Sequence, residues 1–144
     1  MTDIYIVGGA RTAIGTFGGS LSSFRPADLG TLVMKEAIAR AGIQPADVEN
    51  VVVGTVVPTQ PKDAYVSRVA AVNAGIPIEA PAMNVNRLCG SGLQAIVSAA
   101  QGIALGEQEI AIGAGAEVMS NAPRLLQGSR NGVKMGDMTL EDMM

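Results

Sequence analysis

The sole cysteine of this chain, Cys89, lies in the stretch Asn84-Val85-Asn86-Arg87-Leu88-Cys89-Gly90-Ser91-Gly92-Leu93. Upstream, Met83 and Val85 alternate with Asn84 and Asn86 behind Pro81, the period of two expected of a short strand over Pro81 to Asn86. Downstream, Leu93, Ile96, Val97 and Ala100 recur at helical spacing while Ala95, Ala99 and Ala104 fill the other sides. That helix is apolar nearly all round, which predicts a central place. A cysteine at a strand-to-helix junction faces unpaired N–H groups and the positive end of the helix dipole. Both favour the thiolate, the nucleophilic form. Gly90, Ser91 and Gly92 are small enough for a bulky acyl group or cofactor to approach the backbone beside the sulfur. A lone cysteine is also a common small buried hydrophobe, so position alone leaves both readings open.

Other residue types that could do chemistry have plainer roles. Ser91 as a nucleophile would need a basic partner, and the chain contains no histidine; a helix-start hydroxyl is its ordinary use. Asn84 and Asn86 read as hydrogen bonders at a strand end. Arg11 is either an anion contact or, more ordinarily, a solvated or salt-bridging arginine. Gly113 and Gly115 lack a third glycine and no helix pattern follows them, which excludes a dinucleotide-binding loop. Met135, Met138, Met143 and Met144 suit either a flexible acyl-binding surface or core and interface packing.

The elements that must position Cys89 can be read in chain order. Ile4 to Val7, ended by Gly8-Gly9, is expected to be a first buried strand, followed by a loop over Gly15 to Ser23. Pro26 and Asp28 open a helix over about 26 to 41 that carries Leu29, Leu32, Val33, Ala37 and Ala41 on one face, with Gly42 as its stop. Val51 to Val57, closed by Pro58, is a β-branched run suited to a parallel strand buried on both faces. Ala64 to Ala74 has helical spacing, and Glu109 to Ala116 after Gly106 reads as a fourth strand. Strands alternating with helices imply parallel crossovers and helices on both faces of a sheet, an α/β fold. From Asn121 onward the pattern dissolves, which predicts an α/β domain over 1–120 and the start of an excursion over 121–144.

Composition agrees with a folded α/β domain: 48% hydrophobic and only 3% aromatic residues require an aliphatic core. A formal net charge of -3, with acidic and basic residues scattered, gives no footprint for nucleic acid. No apolar run reaches membrane-spanning length, and the first residues lack the pattern of a signal peptide. A single cysteine offers no internal disulfide. A cytoplasmic location is the resulting expectation.

The run Asn86-Arg87-Leu88-Cys89-Gly90-Ser91-Gly92-Leu93-Gln94-Ala95 closely resembles the nucleophile signature of thiolases, the acyl-CoA acetyltransferases. The opening Ile6-Val7-Gly8-Gly9-Ala10-Arg11-Thr12-Ala13-Ile14-Gly15, the Asp28-Leu29-Gly30 helix start and Gly113-Ala114-Gly115-Ala116-Glu117-Val118-Met119-Ser120 resemble further thiolase segments in the same order. The resemblance runs over essentially all 144 residues. It implies the first part of a layered αβα half, with the sheet incomplete and a loop domain beginning where the chain ends. It implies that Cys89 is the catalytic residue that becomes acylated, either in condensing acetyl-CoA to acetoacetyl-CoA or in thiolysis of a 3-ketoacyl-CoA. Acyl-CoA and CoA would be substrates, with no permanently bound cofactor and no metal, and a homo-oligomer, dimer or tetramer, is expected. Thiolases also use a histidine and a second cysteine from C-terminal motifs absent from this sequence. An alternative is therefore a catalytically incomplete fragment or half-subunit that associates with a complementary C-terminal half. A ketoacyl synthase-type condensing enzyme, which also uses an active cysteine on this architecture, is the other.

Overall fold

The computed structural model describes residues 3–144. Its first helix, α1 (Pro26–Ala41), begins where Pro26 sets a helical φ at a position needing no N–H donor, and Asp28 lies in the first turn. It ends at Gly42, whose φ of 71° is the left-handed conformation that lets the Gly42 and Ile43 N–H groups return to the Ala39 and Ile38 carbonyls. Both limits are those the sequence predicts.

Strand β1 (Asn50–Gly54) is the centre of the sheet, paired in parallel with β2 (Ala82–Val85) on one side and β3 (Ala111–Gly115) on the other. Its valines point alternately to two layers. Val51 and Val53 join α1 and α2 (Val66–Asn73) in a core with Met34, Ile38, Val66 and Ala70, whereas Val52 meets Ala95 and Ala99 of α3 (Ser91–Ala104) on the opposite face. A chain that moves from β1 to a neighbour on one side, then crosses to the other side with the same hand, must place its two crossover helices on opposite faces. The α/β architecture with helices on both faces follows.

Several expectations change in the structure. Ile4 to Val7 is not a strand: it carries no ladder, and Ile6 and Val7 are 84% and 68% exposed. The segment is tied to α1 instead, where Arg40 donates to the Gly9 carbonyl and Gly8 sits so close that a Cβ would lie 3.0 Å from the Ala37 oxygen. It lines a cleft of about 580 Å³ together with α1, α3 and β3. The run expected as a strand to Val57 stops at Gly54, because the Val56 and Val57 N–H groups are taken by the Glu117 carboxylate rather than by a neighbouring strand. The helix expected over 64–74 starts as a 3-10 turn, Pro61–Tyr65, before α2 proper. The fourth predicted strand is the third observed, β3, trimmed to five residues.

The helix after Cys89 buries a different stripe from the one its larger residues mark. Ser91, Ala95, Ala99 and Gly102 face the sheet, while Leu93, Ile96 and Val97 remain 66%, 41% and 40% exposed. Small residues win the inner face because the sheet offers glycine beneath them. At Gly113 a Cβ would stand 2.6 Å from the Ile96 Cα, and at Gly54 it would overlap the Ser91 carbonyl, so α3 lies closer to the sheet than any side chain would allow.

Beyond residue 120 the chain forms a separate antiparallel pair, β4 (Arg124–Leu126) with β5 (Leu140–Asp142), closed by an Arg124–Asp142 ion pair. Its link to the rest is polar: the Asn121 amide donates to the Ser22 carbonyl, and the Gly18 N–H donates to the Ser120 hydroxyl. No helix among the described residues is long and apolar enough to cross a membrane.

Candidate active site

The carboxyl ends of the three parallel strands open on one side of the sheet, where α/β folds place their ligands. Thr55 to Val57 leave β1, the turn Asn86–Gly90 leaves β2, and Ala116–Glu117 leave β3. Cys89 stands in the middle turn, at the strand-to-helix junction the sequence predicts and one residue before the cap of α3, as a free, exposed thiol.

The turn is built by its neighbours in sequence. The Asn86 side-chain oxygen accepts the Leu88 N–H at 3.0 Å, an Asx-type turn, and the backbone bonds Gly90 N–H to Arg87 O and Ser91 N–H to Leu88 O close it at 3.1 and 3.0 Å. Leu88 is forced to a φ of 49°, the sole non-glycine among the described residues with positive φ. Its side chain is 70% exposed, so no packing rewards that conformation. Ser91 is not the cap of α3. Gly90 occupies the cap position without a side chain, and Ser91, the first helical residue, turns its hydroxyl back into the turn. A nucleophilic role for Ser91 is thereby left without support, since the hydroxyl is buried and donates to the Leu88 carbonyl.

Asn84 and Asn86 are hydrogen bonders at a strand end, as expected. The Asn84 side chain accepts the Ser67 N–H and donates to the Asp63 and Ala64 carbonyls, fastening the start of α2 to β2. Arg11 is an exposed residue that donates to the Thr12 carbonyl. Among the described residues no group of three or more histidine, cysteine, aspartate or glutamate side chains is disposed to hold a metal ion. The 580 Å³ cleft reaches this end of the sheet at Gly92, Gly115, Ala116 and Glu117 and is not lined by Cys89, so the thiol opens to solvent rather than into that cavity.

Two residues at this end escape a sequence reading. Glu117 accepts the Val56 and Val57 N–H groups at 2.8 and 3.0 Å, strapping the loop after β1 to the end of β3. Its one local signal is a carboxylate placed directly after a parallel strand. Asp63 is buried, with one oxygen accepting the Thr59 and Gln60 N–H groups and the Thr59 hydroxyl while the other has no partner. The pattern Gln60-Pro61-Lys62-Asp63 carries the signal of a capping carboxylate three residues into a helical turn.

Comparison with known proteins converges on one family. The family model described as thiolase, N-terminal domain, matches residues 4–144. The chain is 60% identical over 142 residues to the beta-ketothiolase BktB of Cupriavidus necator, covering 99% of itself and 36% of that relative. It is 47% identical over 144 residues to an acetyl-CoA acetyltransferase of the same organism, again 36% of the relative. Its fold superposes with a TM-score of 0.91 on the crystal structure of human mitochondrial 3-ketoacyl-CoA thiolase in complex with CoA, at 38% identity, covering 96% of this chain and 35% of that one. The chain thus spans about a third of the length of the proteins it matches.

Proposed function

Given that this chain belongs to the thiolase family, matching the family's N-terminal domain over residues 4–144, we propose that it supplies the portion of an acyl-CoA acetyltransferase that carries the acyl-accepting cysteine, with Cys89 as the nucleophile. The observation that carries the reading is the turn itself: the chain's single thiol is held exposed at the start of α3 by a backbone conformation that a leucine does not adopt freely.

The Cys89 thiolate attacks the carbonyl carbon of an acyl-CoA, forming a C–S bond; the tetrahedral oxyanion collapses and expels the CoA thiolate, which takes up a proton, leaving the acyl group on the sulfur. The developing oxyanion needs donors already in place, and the Cys89 N–H, unpartnered among the described residues, stands in the turn to provide one. In the synthetic direction the α-carbanion of a second acetyl-CoA takes the acyl group and gives a 3-ketoacyl-CoA; thiolysis is the reverse. CoA and its thioesters are substrates on this reading, with no resident cofactor or metal.

The base that takes the thiol proton and the acid that serves the second substrate lie outside these residues, which contain neither histidine nor another cysteine. They are contributed by a C-terminal half, in the same polypeptide or in a partner chain. The exposed Leu93, Ile96 and Val97 stripe of α3 favours this arrangement, since an apolar helix face of this kind is made to be covered. Residues 1–120 then form the α/β domain and 121–144 open the loop domain, in a cytoplasmic homo-oligomer.

Intact-mass spectrometry of the full-length protein after mixing with acetyl-CoA tests the reading. An added acetyl group mapped to Cys89, and absent in a folded Cys89→Ser variant, is the expected result. Acetylation and turnover that persist in Cys89→Ser would remove it.

A further inference from the structure

Resting on Cys89 as the nucleophile, we propose that Ser91 is a positioning residue: its buried hydroxyl clamps the turn Arg87–Ser91 and thereby fixes where the Cys89 sulfur stands. The Ser91 Oγ accepts the Arg87 N–H at 2.8 Å and donates to the Leu88 carbonyl at 2.6 Å. Those two groups bracket the one non-glycine residue with positive φ among the described residues, Leu88, so the hydroxyl spans the strained link of the turn. The clamp spends the hydroxyl's single donor, and Ser91 is 4% exposed, so water does not replace it.

The clamp also has a fixed base. Ser91 begins α3, and its backbone rests against Gly54 of β1 so closely that a Cβ on Gly54 would overlap it. A bond from this residue back across Leu88 therefore refers the thiol to the centre of the sheet rather than to a free loop. Without the hydroxyl, the Arg87 N–H loses its one partner among the described residues, and the Asn86 Oδ1 bond together with the two backbone bonds of the turn must hold Leu88 left-handed alone. The side chain thus sets geometry at a reacting atom it does not touch, where small displacements reduce rate steeply.

The test is single-turnover acylation of Cys89 by acetyl-CoA in the full-length protein, followed by peptide mass spectrometry. Ser91→Ala is expected to slow acylation by about tenfold or more, with half-saturating acetyl-CoA changed by less than about twofold. Ser91→Thr, which keeps the hydroxyl, is expected to stay within about threefold of the parent. Adding Leu88→Gly to Ser91→Ala is expected to recover part of the lost rate, because glycine holds a positive φ without help. An unchanged rate in Ser91→Ala, or a slow rate that neither Ser91→Thr nor Leu88→Gly relieves, overturns the proposal. Hydrogen exchange at the Arg87 amide reads the clamp without any acyl chemistry: it is expected to be protected in the parent, and an unprotected amide there overturns the proposal even if Ser91→Ala does not fold. Absence of acylation in a parent whose Arg87 amide is protected would instead count against Cys89 as the nucleophile.

Discussion

Leu88 holds a left-handed backbone for which its side chain receives nothing, being mostly exposed. That conformation costs a non-glycine residue about 1–2 kcal/mol, and the greater unfolded freedom of glycine offsets about 0.5–1 kcal/mol of it. Leu88→Gly is therefore expected to raise the unfolding free energy by about 0.5 kcal/mol in urea titration, and a clear loss would mean that the Leu88 side chain is held by contacts it does not show. Glu117 works in the opposite sense, strongly partnered and unstrained. Glu117→Ala leaves the Val56 and Val57 N–H groups without their acceptor and is expected to destabilise by about 1–2 kcal/mol, whereas Glu117→Gln keeps one acceptor oxygen and loses about half as much. Equal losses in the two variants would argue that side-chain volume, not hydrogen bonding, is what matters there.

α1 and α3 differ in how far their placing could be read from local signals. Pro26, Asp28 and Gly42 each act within one turn of a helix end, so the limits of α1 are legible in the sequence and agree with the structure. The Asp28 carboxyl is held below its ordinary range, first by its hydrogen bond from Arg25. A lowered folded-state value means a contribution that is present at neutral pH and lost as pH falls through that value, below about 4. For so exposed a pair the contribution is small, so Asp28→Asn should lower stability slightly at pH 7 and not at all in strong acid. The inner face of α3 was not legible, because it is chosen by glycines 37 and 18 positions away, as Gly54 and Gly113 are from Ser91 and Ser91's own turn-mate Ala95. Gly54→Ala is the sharpest probe of that choice. Its Cβ meets backbone that cannot rotate aside, so α3 must lift at the Cys89 end, with an expected loss of about 1–3 kcal/mol and slower acylation of Cys89. A variant as stable and as reactive as the parent would show that the helix end is looser than the contact implies. Neither the Ile4–Val7 segment nor the early end of β1 could be read from sequence, since each depends on whether a distant partner, a strand edge or Glu117, is within reach.

The described residues differ in the kind of bond that holds them. Between Ala27 and Ala116, side chains from α1, α2 and β1 interlock in a continuous aliphatic core, and opening any one of them exposes the others. From Arg124 to Asp142 the residues are exposed, and the β4–β5 pair is closed chiefly by its own ladder and by an ion pair at the surface, worth little in water. A two-stranded ribbon of three residues a side with no core beneath it opens far more readily than the sheet. Arg130 and Lys134 lie inside that ribbon, whereas Lys35, Arg40 and Arg68 sit on helices anchored in the core. Brief trypsin treatment under native conditions is therefore expected to cut at Arg130 and Lys134 first and to leave a resistant N-terminal piece that retains the Cys89 turn, identified by mass. Cleavage at Lys35, Arg40 or Arg68 at the same rate would place the boundary elsewhere, because it would mean that the valine-rich centre of the sheet does not hold its helices without what lies beyond residue 120.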